Sequence, residues 1–220
     1  MKTKYVLPLV ALVFAAAGLQ AQGDLYKKAG TIQIKDQKAV MAGSLRAEKD
    51  LFKITLEDVG VYTGHTCGCD AAGFLITKKI LGMLFPGQIP SRGTIKVAIS
   101  EYNMDLIDAI TYITGTRLNR GEYTDTSSDF IIDKSIAGGE GTTTLLFERK
   151  DNGKKVKVAI DRMILLTKDE MYAASVIKTK IMKGEATEDE KSIFAKSTQD
   201  IVRKEILNLP EGSFTYTMLN

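Results

Sequence analysis

Histidine and cysteine are scarce in this 220-residue sequence, which has one histidine and two cysteines. All three lie within Gly64–Cys69, whose letters are GHTCGC. Because the only histidine belongs to this cluster, no serine–histidine–aspartate triad is assigned elsewhere. A bridge between the two cysteines would close a loop over one residue, which removes little entropy from the unfolded chain, so they do not serve to stabilise the fold. The scarcity therefore concentrates the candidate chemistry in one motif.

Long apolar runs are also missing. The longest, Tyr5 to Gly18, is shorter than the roughly 20 residues of a membrane span. Lys2 and Lys4 precede it and the small residue Ala21 follows it, so residues 1–21 are predicted to be a secretory signal. No cysteine stands at the cleavage point to carry a lipid anchor. We expect an exported protein, periplasmic or secreted, without a membrane span.

A basic excess is the third feature that the sequence lacks. It has 30 lysines and arginines against 27 aspartates and glutamates, and removal of Lys2 and Lys4 leaves a net charge of about +1. The remaining charges are interspersed, whereas a nucleic-acid-binding protein usually clusters basic residues on one face. This pattern excludes nucleic acid as the expected partner. The length that remains after Ala21 suits one domain.

Periodicity and turn residues predict a single-domain α+β fold, in which an antiparallel or mixed sheet with a hairpin packs against several helices. Capping boxes at Thr55, Thr167 and Thr187 indicate helices over residues 56–62, 168–183 and 188–207, and apolar stretches indicate helices over 70–82 and 104–114. Strands are predicted at 31–35, 93–100, 129–133, 142–148 and 154–161, the last two joined by an Asn-Gly turn. Strands that meet in a hairpin, with helices grouped at the two ends, favour α+β over a doubly wound parallel sheet.

The motif's three rare residues have the chemistry of metal ligands. His65, Cys67 and Cys69 offer imidazole and thiolate, which Zn²⁺ and similar transition metals prefer. A helix that begins at the motif would favour the thiolate form. However, His-x-Cys-x-Cys is not a common zinc-finger spacing, and a distant ligand would have to complete the site.

Two other interpretations of the motif stay open from the residues alone. Cys67 and Cys69 can form a redox dithiol, because a disulfide closed over one residue is strained and labile. Alternatively, both cysteines are small packing residues and His65 is a capping or core residue.

The segment Leu56–Cys67, with the letters LEDVGVYTGHTC, resembles the signature of the FmdE family, which takes its name from formylmethanofuran dehydrogenase. Asp105–Ile110, Thr114-Gly115 and residues 184–190 continue the similarity, which covers most of residues 55–207. We therefore place an FmdE-like core domain at residues 55–220, after an N-terminal segment at 22–54. The resemblance implies an α+β core that tends to form a homodimer and a core pocket that binds a metal ion.

Carried over position by position, the resemblance assigns ligands to this sequence. His65 and Cys67 match the family's pair, and Asp105 stands where the family has a downstream cysteine. Cys69 has no counterpart, because the family's Pro-Gly is replaced by Gly68-Cys69. Aspartate also ligates zinc, so the expected site is a mononuclear, zinc-type centre of His65, Cys67, Cys69 and Asp105.

The function expected from these residues is that of an exported metal-binding protein, although no pattern names catalytic residues or a substrate. A thiol–disulfide redox module that uses Cys67 and Cys69 is one alternative, and a non-catalytic metal-binding or scavenging protein is another. The partner would be a small-molecule or metal ligand. The zinc finger that some relatives carry at the C-terminus is not expected, because no cysteine follows Cys69.

Overall fold

A computed structural model describes residues 23–118 and 129–219 of the chain. Within these residues the protein has two sheets and several helices, and the predicted single-domain α+β class is confirmed. None of the described helices is long and apolar enough to span a membrane. The predicted signal at residues 1–21 lies outside the described residues and stays a prediction.

The described strands and helices are interspersed along the chain. The strands are β1 (Ile32–Lys35), β2 (Leu51–Ile54), β3 (Ile95–Ile99), β4 (Phe130–Ile132), β5 (Thr142–Arg149), β6 (Lys155–Asp161) and β7 (Phe214–Leu219). The helices are α1 (Gln37–Met41), α2 (Leu56–Thr63), α3 (Gly68–Leu84), α4 (Met104–Thr114), α5 (Arg162–Leu165), α6 (Lys168–Lys183) and α7 (Glu188–Leu207). Residues 23–28 are also helical.

The larger sheet is mixed and has the strand order β4-β3-β5-β6-β7. Its β5–β6 hairpin pairs Thr142 with Asp161 at one end and Glu148 with Lys155 at the other. Among the described strands of this sheet, β3 and β4 run parallel and the other neighbours are antiparallel. β1 and β2 form a separate antiparallel pair.

Helix α3 is the central helix of the core. It contacts α2, α4, α7 and β6, and its buried side chains include Phe74, Ile76 and Ile80. Its glycine at position 73 permits the close approach of α4, because a Cβ there would lie 2.8 Å from the Ala109 Cβ. This packing brings the N-terminal ends of α3 and α4 into the same region, and those ends carry the motif and Asp105.

Most of the predicted elements are present. The helices predicted over 56–62, 70–82, 104–114, 168–183 and 188–207 are confirmed as α2, α3, α4, α6 and α7, and the three capping boxes at Thr55, Thr167 and Thr187 are formed. The five predicted strands correspond to β1, β3, β4, β5 and β6. The prediction omitted β2, β7 and the short helices α1 and α5.

Candidate metal centre

The motif occupies the connection between α2 and α3. Gly64 ends α2 in a left-handed conformation with φ 83°, which glycine adopts without a Cβ clash. Cys67 is the N-cap of α3, so the motif's second half forms the first turn of that helix. The Thr63 hydroxyl donates a hydrogen bond to the His65 carbonyl at 2.7 Å and thereby holds the intervening turn. The end of α2 and the start of α3 therefore position His65 and the two cysteines.

Three donor groups converge at this turn. Ligand atoms of His65, Cys67 and Asp70 all lie within 4.8 Å of one another. The His65 Nε2 lies 3.8 Å from the Asp70 Oδ2, and the histidine side chain is 49% exposed whereas that of Asp70 is fully buried. The group thus reaches from solvent into the core.

Asp70 was not among the ligands predicted from the sequence. Its Oδ2 accepts a hydrogen bond from the Cys67 backbone N–H at 2.9 Å and so caps α3. The signal was present as Cys67-x-x-Asp70, which has the spacing of a capping box with cysteine in the usual place of serine or threonine. The Oδ1 is buried and has no hydrogen-bond partner among the described residues. Burial raises the pKa of this carboxyl above its ordinary range.

Asp105 extends the group from the first turn of α4. Its Oδ2 lies 3.8 Å from the His65 Nε2 and accepts a hydrogen bond from the Cys67 Sγ at 3.6 Å. The structure therefore places Asp105 beside both residues with which the resemblance grouped it. Its role as a metal ligand stays a prediction.

The Cys69 thiol contacts Asn103, the N-cap residue of α4. Its Sγ accepts a hydrogen bond from the Asn103 Nδ2 at 3.4 Å, and Cys69 is not one of the three converging donors. The neighbouring Cys67 and the hydrogen bond from Asn103 lower the pKa of the Cys69 thiol to about 7. The neighbouring Cys69, together with burial, raises the pKa of Cys67. Both cysteines are free thiols in this structure.

The spacing of the donors suits a single small metal ion. A tetrahedral zinc site with ordinary bond lengths has edges of roughly 3.4 Å between nitrogen and oxygen and roughly 3.6 Å between sulfur and oxygen. The measured separations are 3.8 Å for each of the two His65–carboxylate pairs and 3.6 Å for Cys67–Asp105. The unpartnered Asp70 Oδ1 adds a further acceptor for a cation. These three separations lie within a few tenths of an ångström of the zinc edges, and ligand atoms of His65, Cys67 and Asp70 lie within 4.8 Å of one another, so the residues present fit such an ion once the donors draw together.

A cavity of about 450 Å³ adjoins this centre. Its lining includes His65, Cys67, Cys69 and Asp105 together with residues of α6 and α7. His65, Cys67 and Asp105 are therefore accessible to a small molecule in this cavity.

Comparison with known proteins adds one finding. A family model described as "FmdE, Molybdenum formylmethanofuran dehydrogenase operon" matches residues 62–215, more than half of the chain. The matched range contains every donor described above. No curated protein matches the chain.

Proposed function

Since the chain belongs to the FmdE family, we propose that it is a metal-binding protein that holds one zinc-type ion through His65, Cys67 and Asp70. The observation that carries this proposal is the convergence of an imidazole, a thiol and a carboxylate within 4.8 Å. Asp105 is the proposed fourth ligand, because its carboxylate contacts both His65 and Cys67.

The donor set supports zinc over the other common biological cations. Mg²⁺ and Ca²⁺ bind oxygen ligands, whereas mixed nitrogen, sulfur and oxygen donors suit Zn²⁺ and its late transition-metal neighbours. A bound zinc ion would supply Lewis acidity at the edge of the cavity. The half-exposed His65 and the partly exposed Asp105 keep that edge open to ligands.

Elemental analysis of the protein, purified without chelators, tests the proposal. We expect about one zinc per chain and a loss of at least nine-tenths of it in His65→Ala/Cys67→Ala. Cys69→Ser is the matched control, because it removes the neighbouring thiol at nearly constant size and should retain the metal. A metal-free wild-type protein would contradict the proposal, as would a double variant that keeps its zinc. Loss of zinc in Cys69→Ser would restore Cys69 to the ligand set in place of Asp70.

We also propose that the protein is exported, with cleavage after Ala21. The basic residues, apolar run and small residue of positions 1–21 support this proposal. Expression of the full sequence in a bacterial host should yield a periplasmic protein whose N-terminal residue is Gln22. Ala21→Trp places a bulky residue at the cleavage point and should block processing there. Full-length protein that stays in the cytoplasm would contradict export.

A thiol–disulfide redox function is a second candidate, favoured by two free thiols that one residue separates at the start of α3. The neighbouring Cys67 and the hydrogen bond from Asn103 lower the pKa of Cys69 to about 7, so a sizeable fraction of Cys69 is thiolate near neutral pH. The thiolate would attack a disulfide substrate, and Cys67 would then complete a Cys67–Cys69 disulfide as the substrate leaves as two thiols. Thiol titration of the metal-free protein, before and after equilibration with oxidised glutathione, measures this exchange. Retention of two free thiols after equilibration would exclude it.

A further inference from the structure

The cavity beside the metal centre contains a buried acid that the proposed metal site does not use. Glu205 lies near the end of α7, is 4% exposed, and lines the cavity together with Cys69. Its Oε2 is buried and has no hydrogen-bond partner among the described residues. An unpartnered buried carboxyl lowers the stability of the fold. A ligand that pairs with this group would remove that cost.

The rest of the cavity is mainly apolar. Its walls include Leu106, Ile160, Leu165, Met171, Phe194 and Ile201. A volume of about 450 Å³ falls within the range of small-molecule sites, which combine apolar walls with a few polar groups that orient the ligand. The walls therefore select a molecule with an apolar body.

Charge selects the polar head of that molecule. Burial raises the pKa of the Glu205 carboxyl, and Cys69 and Asp70 add to this effect as negative neighbours. The basic residues of the lining are less available to a ligand inside, because Arg162 forms an ion pair with Glu101 and Lys178 is exposed. The unpartnered Glu205 Oε2 is thus an acceptor for a positive group that donates hydrogen bonds.

We propose that this cavity binds a small primary amine with an apolar body, whose ammonium group pairs with Glu205. Pairing with a cation would ionise Glu205 and satisfy its free oxygen, and the body of the amine would cover the apolar walls. The amine site shares this cavity with His65 and Cys67, but its polar contact is Glu205, so it does not require a bound metal ion.

Isothermal titration calorimetry with three probes of one shape tests the proposal. Benzylamine, benzyl alcohol and benzoate are titrated into the full chain after chelator treatment, and into His65→Ala/Cys67→Ala, so that coordination of the amine to a metal is excluded. We expect benzylamine to bind at least tenfold more tightly than the other two in both proteins. The preference for benzylamine should be the same even if the protein proves to bind no zinc.

Variants then locate the binding site. Glu205→Gln should weaken benzylamine binding at least tenfold and leave benzyl alcohol within twofold. Glu188→Gln, an exposed residue of the same helix that does not line the cavity, is the matched control and should change neither probe. Ala174→Trp, which fills the cavity from α6, should abolish binding of benzylamine. This variant tests the location of the site even if Glu205→Gln does not fold.

Three outcomes would overturn the proposal. The first is benzoate as the tightest probe, which would assign recognition to Arg162 and Lys178. The second is benzylamine binding that persists in both Glu205→Gln and Ala174→Trp, which would place it on the surface. The third is the absence of benzylamine binding at millimolar concentration.

Discussion

At the scale of single residues, Glu205 and Asp70 each place a carboxyl oxygen in the protein interior without a partner among the described residues. Burial raises the pKa of both carboxyl groups, which means that folding favours their neutral forms. For Asp70, the hydrogen bond from the Cys67 N–H and the neighbouring His65 lower the pKa and oppose the effect of burial. A bound metal ion would also lower it. No neighbour of Glu205 among the described residues lowers its pKa in this way. Glu205 is therefore the residue whose ionisation should most clearly reduce stability.

We predict that Glu205→Gln stabilises the metal-free protein at neutral pH by about 1 to 3 kcal/mol, because the wild-type carboxyl must take up a proton to be buried and glutamine need not. The folded-state pKa of Glu205 lies well above the ordinary 4.5, so the wild type is unpenalised below pH 4.5 and loses stability as the pH rises toward the raised pKa. Glutamine does not titrate. Urea unfolding at about pH 4 and about pH 7.5 measures the difference between the two proteins. An equal gain in the free energy of unfolding at both pH values would contradict the prediction. In the control variant Glu188→Gln, the difference from wild type should not depend on pH.

At the scale of elements, the contact between α3 and α4 sets the geometry of the metal centre. Asp70 and Asp105 stand in the first turns of these two helices, and Gly73 lies where the helices approach most closely. Ala109 and Leu106 of α4 fill the space in which a side chain at position 73 would stand. A change in the distance between the helices would therefore also change the distance between Asp70 and Asp105.

Two glycines of α3 provide a matched pair of substitutions. Gly73→Ala places a Cβ 2.8 Å from the Ala109 Cβ, so we expect a loss of about 1 to 3 kcal/mol in stability and weaker zinc binding. Gly82 is exposed, with nothing within 4 Å of the position that a Cβ would take, so Gly82→Ala should gain roughly 0.5 to 1 kcal/mol from helix propensity and leave zinc binding unchanged. Chemical denaturation and zinc titration measure both effects. Equal changes in stability and zinc affinity in Gly73→Ala and Gly82→Ala would contradict this account of the α3–α4 contact.

At the scale of the whole molecule, much of the fold could be predicted from local signals. Capping boxes and apolar periodicity predicted the five long helices, and the Asn-Gly turn predicted the β5–β6 hairpin. β2 and β7 were not predicted, because neither strand has an apolar buried face: β2 buries Ile54 alone, and no residue of β7 is buried. The parallel pairing of β3 with β4 joins segments far apart in the sequence, and no local pattern specifies it.

The candidate site, like the fold, could be predicted in part from the sequence. The rarity of histidine and cysteine identified His65 and Cys67, and the resemblance added Asp105, which lies 3.6 Å from the Cys67 Sγ. Asp70 was missed because its position in a cysteine-headed capping box does not indicate which way its second oxygen points. The orientation of Cys69 toward Asn103 depends on the packing of α3 against α4. The homodimer implied by the resemblance stays a prediction, which light scattering of the purified protein measures.

The central claim is that one zinc-type ion binds at the junction of α2, α3 and α4. Anomalous diffraction at the zinc edge, from crystals grown with stoichiometric zinc, tests it most directly. We predict one anomalous peak per chain, within about 2.0 to 2.3 Å of the His65 imidazole nitrogen, the Cys67 Sγ and an Asp70 carboxylate oxygen. A fully occupied peak elsewhere, or the absence of any peak at these three residues, would contradict the account.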